Sequence, residues 1–220
     1  MANNFYNAVR RNISADSNLP TTIYTVPNQK KSIAIELDCS NKSSAGVTVT
    51  VQLEDESQNE SGGNGQAISA VAQDATGLLT TTSNTNHNLI VNDRVIFSAS
   101  TAPSFTNASL PPSAEAALSV TRFYYVQSIP STTTFTIAET KSAASPLSFD
   151  TAGNTVAFTK IHLADIIKDA PIPVGGTLKV ISGQKLVLES HAANINDKIY
   201  AYSSGASAVD VITSVLEDVS

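Results

Sequence analysis

The sequence predicts an all-β fold, a β-sandwich or jelly-roll-like host domain with a second β domain inserted into it. Three observations predict it. Apolar residues recur at every second position in short runs, the spacing of half-buried strands rather than of helices. Gly, Pro, Asn and Ser clusters punctuate these runs at short intervals, as turns do. A polar, Gly-rich stretch at 54–66 (EDESQNESGGNGQ) separates one β texture from another, and the first texture returns near residue 159.

Along the chain, residues 1–20 are poor in apolar positions and are expected to form an N-terminal arm that orders only against something else. The host domain is expected over 21–55 plus 159–220. Its first run, Thr21 to Val26, stops at the turn pair Pro27–Asn28. Ile33, Ile35, Leu37 and Cys39 then alternate, as do Val47, Val49, Val51 and Leu53, with NKSSAG between them as a hairpin connection. Each buried Val, Ile or Leu contributes about 1.5–3 kcal/mol, enough for two such runs to anchor a sheet face. Cys39 falls in the inward register and is expected to be a small buried hydrophobe. After residue 159 come a strand, a Pro–Gly-rich crossing, and strands in INDKIYAYSS and SAVDVITSVLED. In the last of these, Val209, Val211, Thr213 and Val215 share a face opposite Ile212 and Leu216.

Residues 56–66 are expected to be a linker and 67–158 the inserted β domain. Its strand signals are GLLTTTS, LIVNDRVIFSAS, VTRFYYVQSI and TTFTIAET, with a Pro-containing loop around 100–118. Insertion is preferred over two consecutive domains for two reasons. The first segment alone has too few strands to close a core, and hairpin tips tolerate insertions.

Composition excludes several classes. Charged residues make up 15% of the chain, below the roughly 25% of ordinary soluble domains. Such a surface loses few ions when copies meet. A net charge of −6 supplies no basic footprint for phosphate, so no direct nucleic-acid binding is expected. No run approaches the roughly 20 apolar residues of a membrane helix. The opening MANNFYNAVRRNIS lacks the apolar core of a signal peptide, and synthesis in the cytoplasm is expected. One cysteine permits no intrachain disulfide.

No catalytic residue, cofactor or metal site is expected. The nucleophile-elbow, zincin, P-loop and dinucleotide motifs are all missing. HNLIVNDRVIF, from His87, echoes HAANINDKIYA, from His191. The echo reads as a turn entering a strand, with Asn92–Asp93 and Asn196–Asp197 at the turn. A His/Asp metal site is the alternative, and no third or fourth ligand stands near in sequence. The acidic run Glu54, Asp55, Glu56 and Glu60 does not have the spacing of a calcium loop.

Two sets of segments carry a resemblance. Tyr24 to Lys30 (YTVPNQK), Pro171 to Gly176 (PIPVGG) and Ser214 to Glu217 (SVLE) resemble the opening, crossing and ending of a small virion structural protein family of tailed bacteriophages, met among cyanophages. NTNHNLIVNDRVIF followed by RFYYVQSIPSTTTFTIAET resembles a β module of phage tail and fibre proteins, with Asn92 where that module usually has Gly. The resemblance implies a non-enzymatic, multi-copy virion component of the tail, neck or baseplate, with capsid decoration as the alternative. It implies other virion proteins and further copies of the chain as partners. Phe5, Tyr6, Arg10, Arg11, Val215 and Leu216 are the expected subunit contacts, the C-terminal strand pairing with a neighbour if it lies at an edge. A second class of function is binding of a host glycan or receptor by the inserted domain, through Phe105, Leu110, Pro111 and Tyr124.

Overall fold

Val47, Val49 and Val51 are buried in one core while Thr48 lies half-buried on the opposite side, so the alternation in the sequence becomes a strand with two unlike faces. The structure is a computed structural model. It describes residues 4–59, 66–70, 76–81, 85–106 and 115–217. The chain divides into two units, 1–58 with 162–220, and 59–161. The first unit opens with β1 (Asn4–Arg10), β2 (Thr21–Thr25), β3 (Lys31–Asn41) and β4 (Val47–Glu54), which leads into a 3-10 turn at Glu56–Gln58. The second unit holds β5 (Gln66–Ala70), β6 (Leu79–Thr81), β7 (Arg94–Ser98), β8 (Tyr124–Ser131), β9 (Thr134–Ala138) and β10 (Val156–Ile161). The chain then returns to the first unit with β11 (Leu163–Ile172), β12 (Thr177–Ala192), the two-residue β13 (Ile195–Asn196), β14 (Lys198–Ser203) and β15 (Val209–Glu217).

The first unit is a sandwich of two antiparallel sheets, ordered β1-β15-β3-β12-β13 and β11-β4-β14-β2. With β13 set aside, the first, eighth, third and sixth strands of this unit form one sheet. The fifth, fourth, seventh and second form the other. That interleaving is the jelly roll. Its fourth and fifth strands, β4 and β11, pair as the two arms of a hairpin, and the second unit occupies the connection between them. Ile23, Leu37, Cys39, Val49, Val51, Ile172, Leu188, Ile199, Val211 and Val215 are among the residues that fill the core.

Several expectations are corrected here. Residues 4–10 are no free arm: they pair with β15 along their whole length, and Ile13 is fully buried with its N–H donated to Val209 O at 3.0 Å. Ala8 and Ile13 supply the apolar anchor that a sparse composition concealed. Of the expected linker, Glu56–Gln58 belongs to the sandwich, Gln66 begins β5, and 60–65 lie outside the described residues. In β3 the strand keeps Leu37 and Cys39 inward but not Ile33 and Ile35. Pairing with β15 and with β12 shifts register around Ile35, so that Ser32 and Ala34 face the core and Ile33 turns outward. One extra residue reverses the phase of everything before it. Tyr200 and Tyr202 lie on the side of β14 opposite the core residues Ile199 and Ala201.

The second unit is a closed barrel in the order β10-β5-β6-β9-β8-β7. Closure removes the open edges that so small a sheet would otherwise present. Its core is aromatic. Phe135 packs on Phe158 with centroids 5.0 Å apart, Phe97 meets Tyr124 edge-on at 5.8 Å, and Phe105 stacks on Phe149 at 5.5 Å. Gly77 has φ +64, and a Cβ there would stand 1.7 Å from Leu147 O, so only glycine fits. A buried ion pair, Arg122 Nε to Glu139 Oε1 at 3.0 Å, has side chains only 6% and 3% exposed.

Candidate functional site

The most concentrated chemistry lies in the first unit, where the end of β4, the end of β12 and the start of β14 meet. Asp197 is its centre. Its Oδ1 accepts from His191 Nε2–H at 3.0 Å and from Glu56 N–H at 3.2 Å, and its Oδ2 accepts from Glu189 N–H at 2.9 Å. Asp55 Oδ1 stands 3.6 Å from His191 Nε2. One ligand atom from each of Asp55, His191 and Asp197 lies within 4.8 Å of the others, which supplies the third group absent from the sequence neighbourhood. Asp197 is already engaged by three donors, so a cation there must displace the His191 bond. As it stands, the cluster ties three chain segments together.

Beside it, Lys198 Nζ donates to Glu56 Oε1 at 2.8 Å and to Glu54 Oε2 at 3.4 Å, and Tyr200 Oη donates to Glu54 Oε2 at 2.9 Å. Burial alone would lower the Lys198 pKa, but the two carboxylates outweigh it and hold the ammonium above the ordinary lysine value. Burial, reinforced by Glu54, raises the Tyr200 phenol. Charged and neutral partners are thus matched, as a structural network requires.

The echoing segment in the barrel is a turn. Asn92 has φ +73, a left-handed conformation suited to the Gly of the resembled module, and Asp93 Oδ2 accepts from Ile90 N–H at 2.8 Å. His87 uses both nitrogens: Nε2–H donates to Ser131 O and Nδ1 accepts from Leu89 N–H, each at 3.0 Å. Asp93 also pairs with Lys160 at 3.1 Å. Neither half of the echo leaves an open ligand set of its own.

The three motifs of the first resemblance sit at joints of the jelly roll. Tyr24 Oη donates to Glu217 Oε1 at 2.7 Å, so the opening motif touches the ending one. Asn41 Nδ2 donates to Ile172 O and Pro173 O, each at 3.1 Å, and holds the crossing in which Gly175 has φ +66.

The expected surface residues divide. Phe5, Tyr6 and Arg10 are exposed on β1, and Arg11 follows it in solvent. Val215 is fully buried and Leu216 half-buried, and β15 is no edge strand because β1 and β3 flank it. In the barrel, Phe105 and Tyr124 are core residues rather than a binding platform, because they pack on Phe149 and Phe97. Leu110 and Pro111 lie outside the described residues.

What the fold and these joints define is a class: an all-β jelly roll with a closed β-barrel inserted in its fourth-to-fifth strand hairpin. No protein-family model matches the chain, and no curated protein matches it.

Proposed function

We propose that the chain is a non-enzymatic virion structural protein of a tailed bacteriophage, present in several copies in the tail, neck or baseplate. The observation that carries this reading is the coincidence of motif and joint. The segments that resemble the phage family are those that hold the jelly roll together, through Tyr24–Glu217 and the Asn41-anchored crossing. Jelly rolls serve as coat and lectin domains of many particles, although a fold by itself hosts many functions. The low charge of the chain favours the same reading, since repeated contacts then desolvate few ions.

A glycan-binding barrel has less behind it. Phe105 and Tyr124, two of the four residues on which that reading rested, lie in the barrel core. Electron microscopy of particles carrying a tagged copy of this protein tests the proposal and its station. Label at the tail, neck or baseplate is expected. Label spread over the head would replace that station with capsid decoration, and unlabelled particles that lack the protein would end the proposal.

A further inference from the structure

The four long edges of the jelly roll are not alike. Open sheet edges invite pairing with another chain, and proteins ordinarily guard them with bulges, prolines, charges or short length. β11 is interrupted by two register shifts and carries Asp165, Lys168, Asp169 and Pro171. β12 pairs with β3 through two register shifts and carries Lys179 and Lys185. β2 has five residues between Pro20 and Pro27, and Arg10 Nε covers its Thr22 carbonyl at 2.8 Å. β1 is the least guarded, with a single charge, Arg10, at its end. Its seven residues pair with β15 without a shift, and from Asn4 to Val9 it contains no charge and no proline.

The outer face beside that edge is apolar in a row. Val187, Ile33, Leu216 and Phe5 are successive cross-strand partners over β12, β3, β15 and β1. The bulge in β3 is what brings Ile33 into this row. Phe5 is 74% exposed and Val187 55% exposed; beyond the polar pair Asn7–Ser214, the cross-strand pair Val9 and Ile212 is 44% and 48% exposed. The row ends abruptly at the open edge.

We propose that β1 pairs antiparallel with β1 of a second copy of this chain, about a two-fold axis through Asn7. In this register Phe5 lies opposite the second copy's Val9, Tyr6 opposite Ala8, and Arg10 opposite Asn4. No like charges meet, and apolar residues face each other on the outer side of the sheet. The apolar row then continues from Phe5 to Val9 and Ile212 of the second copy, and the two sheets become one. A strand of the same type from the second copy is the occupant that satisfies both the backbone edge and the side-chain row. The inference gives the multi-copy reading above one of its contacts and rests on it for biological setting, but its register is tested on the purified full-length chain.

The test is cysteine cross-linking with mass photometry. Cys39 is fully buried, so one added thiol on β1 is the reactive one. Residues directly opposite in an antiparallel pair have Cα atoms about 4.5–5.5 Å apart, within disulfide reach. Asn7→Cys is therefore expected to cross-link to a covalent dimer under mild oxidation, and Phe5→Cys to remain largely monomeric on non-reducing gels. Phe5→Lys with Val9→Lys places like charges opposite each other twice and is expected to abolish the dimer. Phe5→Lys with Val9→Glu places opposite charges there and is expected to retain it. Circular dichroism confirms that each variant is folded. A monomeric wild-type chain at micromolar concentration, equal cross-linking at residues 5 and 7, or an undiminished dimer in the double-lysine variant would each overturn the inference. A dimer from a protein absent from particles would defeat the virion reading alone, and a monomer found within particles would defeat the β1 pairing alone.

Discussion

Asp197 accepts from three donors on two parts of the chain, Glu56 after β4 and Glu189 and His191 in β12, so its removal breaks three part-buried hydrogen bonds at once. Asp197→Ala is predicted to destabilise the first unit by about 1.5–3 kcal/mol, the range for loss of hydrogen bonds to a charged group. Chemical denaturation monitored by circular dichroism measures it. Asp210 offers a pH-dependent counterpart. Burial would raise its carboxyl, but the Lys42 ammonium, the Asn12 N–H and nearby Arg11 together hold it below the ordinary value. A carboxyl depressed in the folded state contributes stability above its unfolded pKa and loses it as pH falls through the folded one. The stability difference between wild type and Asp210→Asn is therefore predicted at neutral pH and should vanish in strong acid. Cys39 tests the core itself. Burial, with Asp38 beside it, pushes its thiol up to about 12, so alkylating reagents should label it only after unfolding, which intact-mass spectrometry reads directly.

At the scale of elements, the barrel's Arg122–Glu139 pair is a sharp case because both side chains are almost fully buried. Arg122→Met is predicted to cost about 3–5 kcal/mol by removing the cation that faces a buried carboxylate, whereas Arg122→Met with Glu139→Leu should recover most of that loss. Thermal or denaturant unfolding of the two variants decides it. The elements also show which parts of the fold were legible in sequence. β15 could be read directly, because its alternation maps onto a buried and a more open face; in β4 the alternation gave the core face of Val47, Val49 and Val51 but not the burial of Thr50, Gln52 and Glu54 on the other side. The inward set of β3 was half-legible. The bulge at Ile35 has no compositional mark, yet it exchanges the faces of Ser32 to Ala34. β1 was invisible as a strand because it contributes one buried residue, Ala8, and takes its order from β15, remote in sequence. Asp55 beside His191 was hidden for the same reason: the jelly roll, not local spacing, brings the ends of β4 and β12 together. Buried aromatics in the barrel misled in the opposite direction. Phe105 and Tyr124 carry the composition of a binding surface but occupy a core, and only closure of the sheet distinguishes the two.

At the scale of the whole molecule, each unit has its own core: the aliphatic interior of the jelly roll and the aromatic interior of the barrel. A closed barrel leaves no edge dependent on its host, so the isolated segment 59–161 is predicted to fold and unfold cooperatively, with protected amides in hydrogen exchange. Insertion in the β4–β11 connection accounts for how a jelly roll can carry a second unit, since Glu54 and Leu163 still pair at the point of insertion. The proposed function draws on this composite: a frame whose Tyr24–Glu217 bond ties an early strand to the last, in a chain that carries little charge. The proposed virion role is tested most directly by quantitative mass spectrometry of purified tailed-phage particles grown from a genome that carries this sequence. The account predicts peptides from both units in equal amounts, at several copies per particle. Purified, infectious particles without them would contradict it.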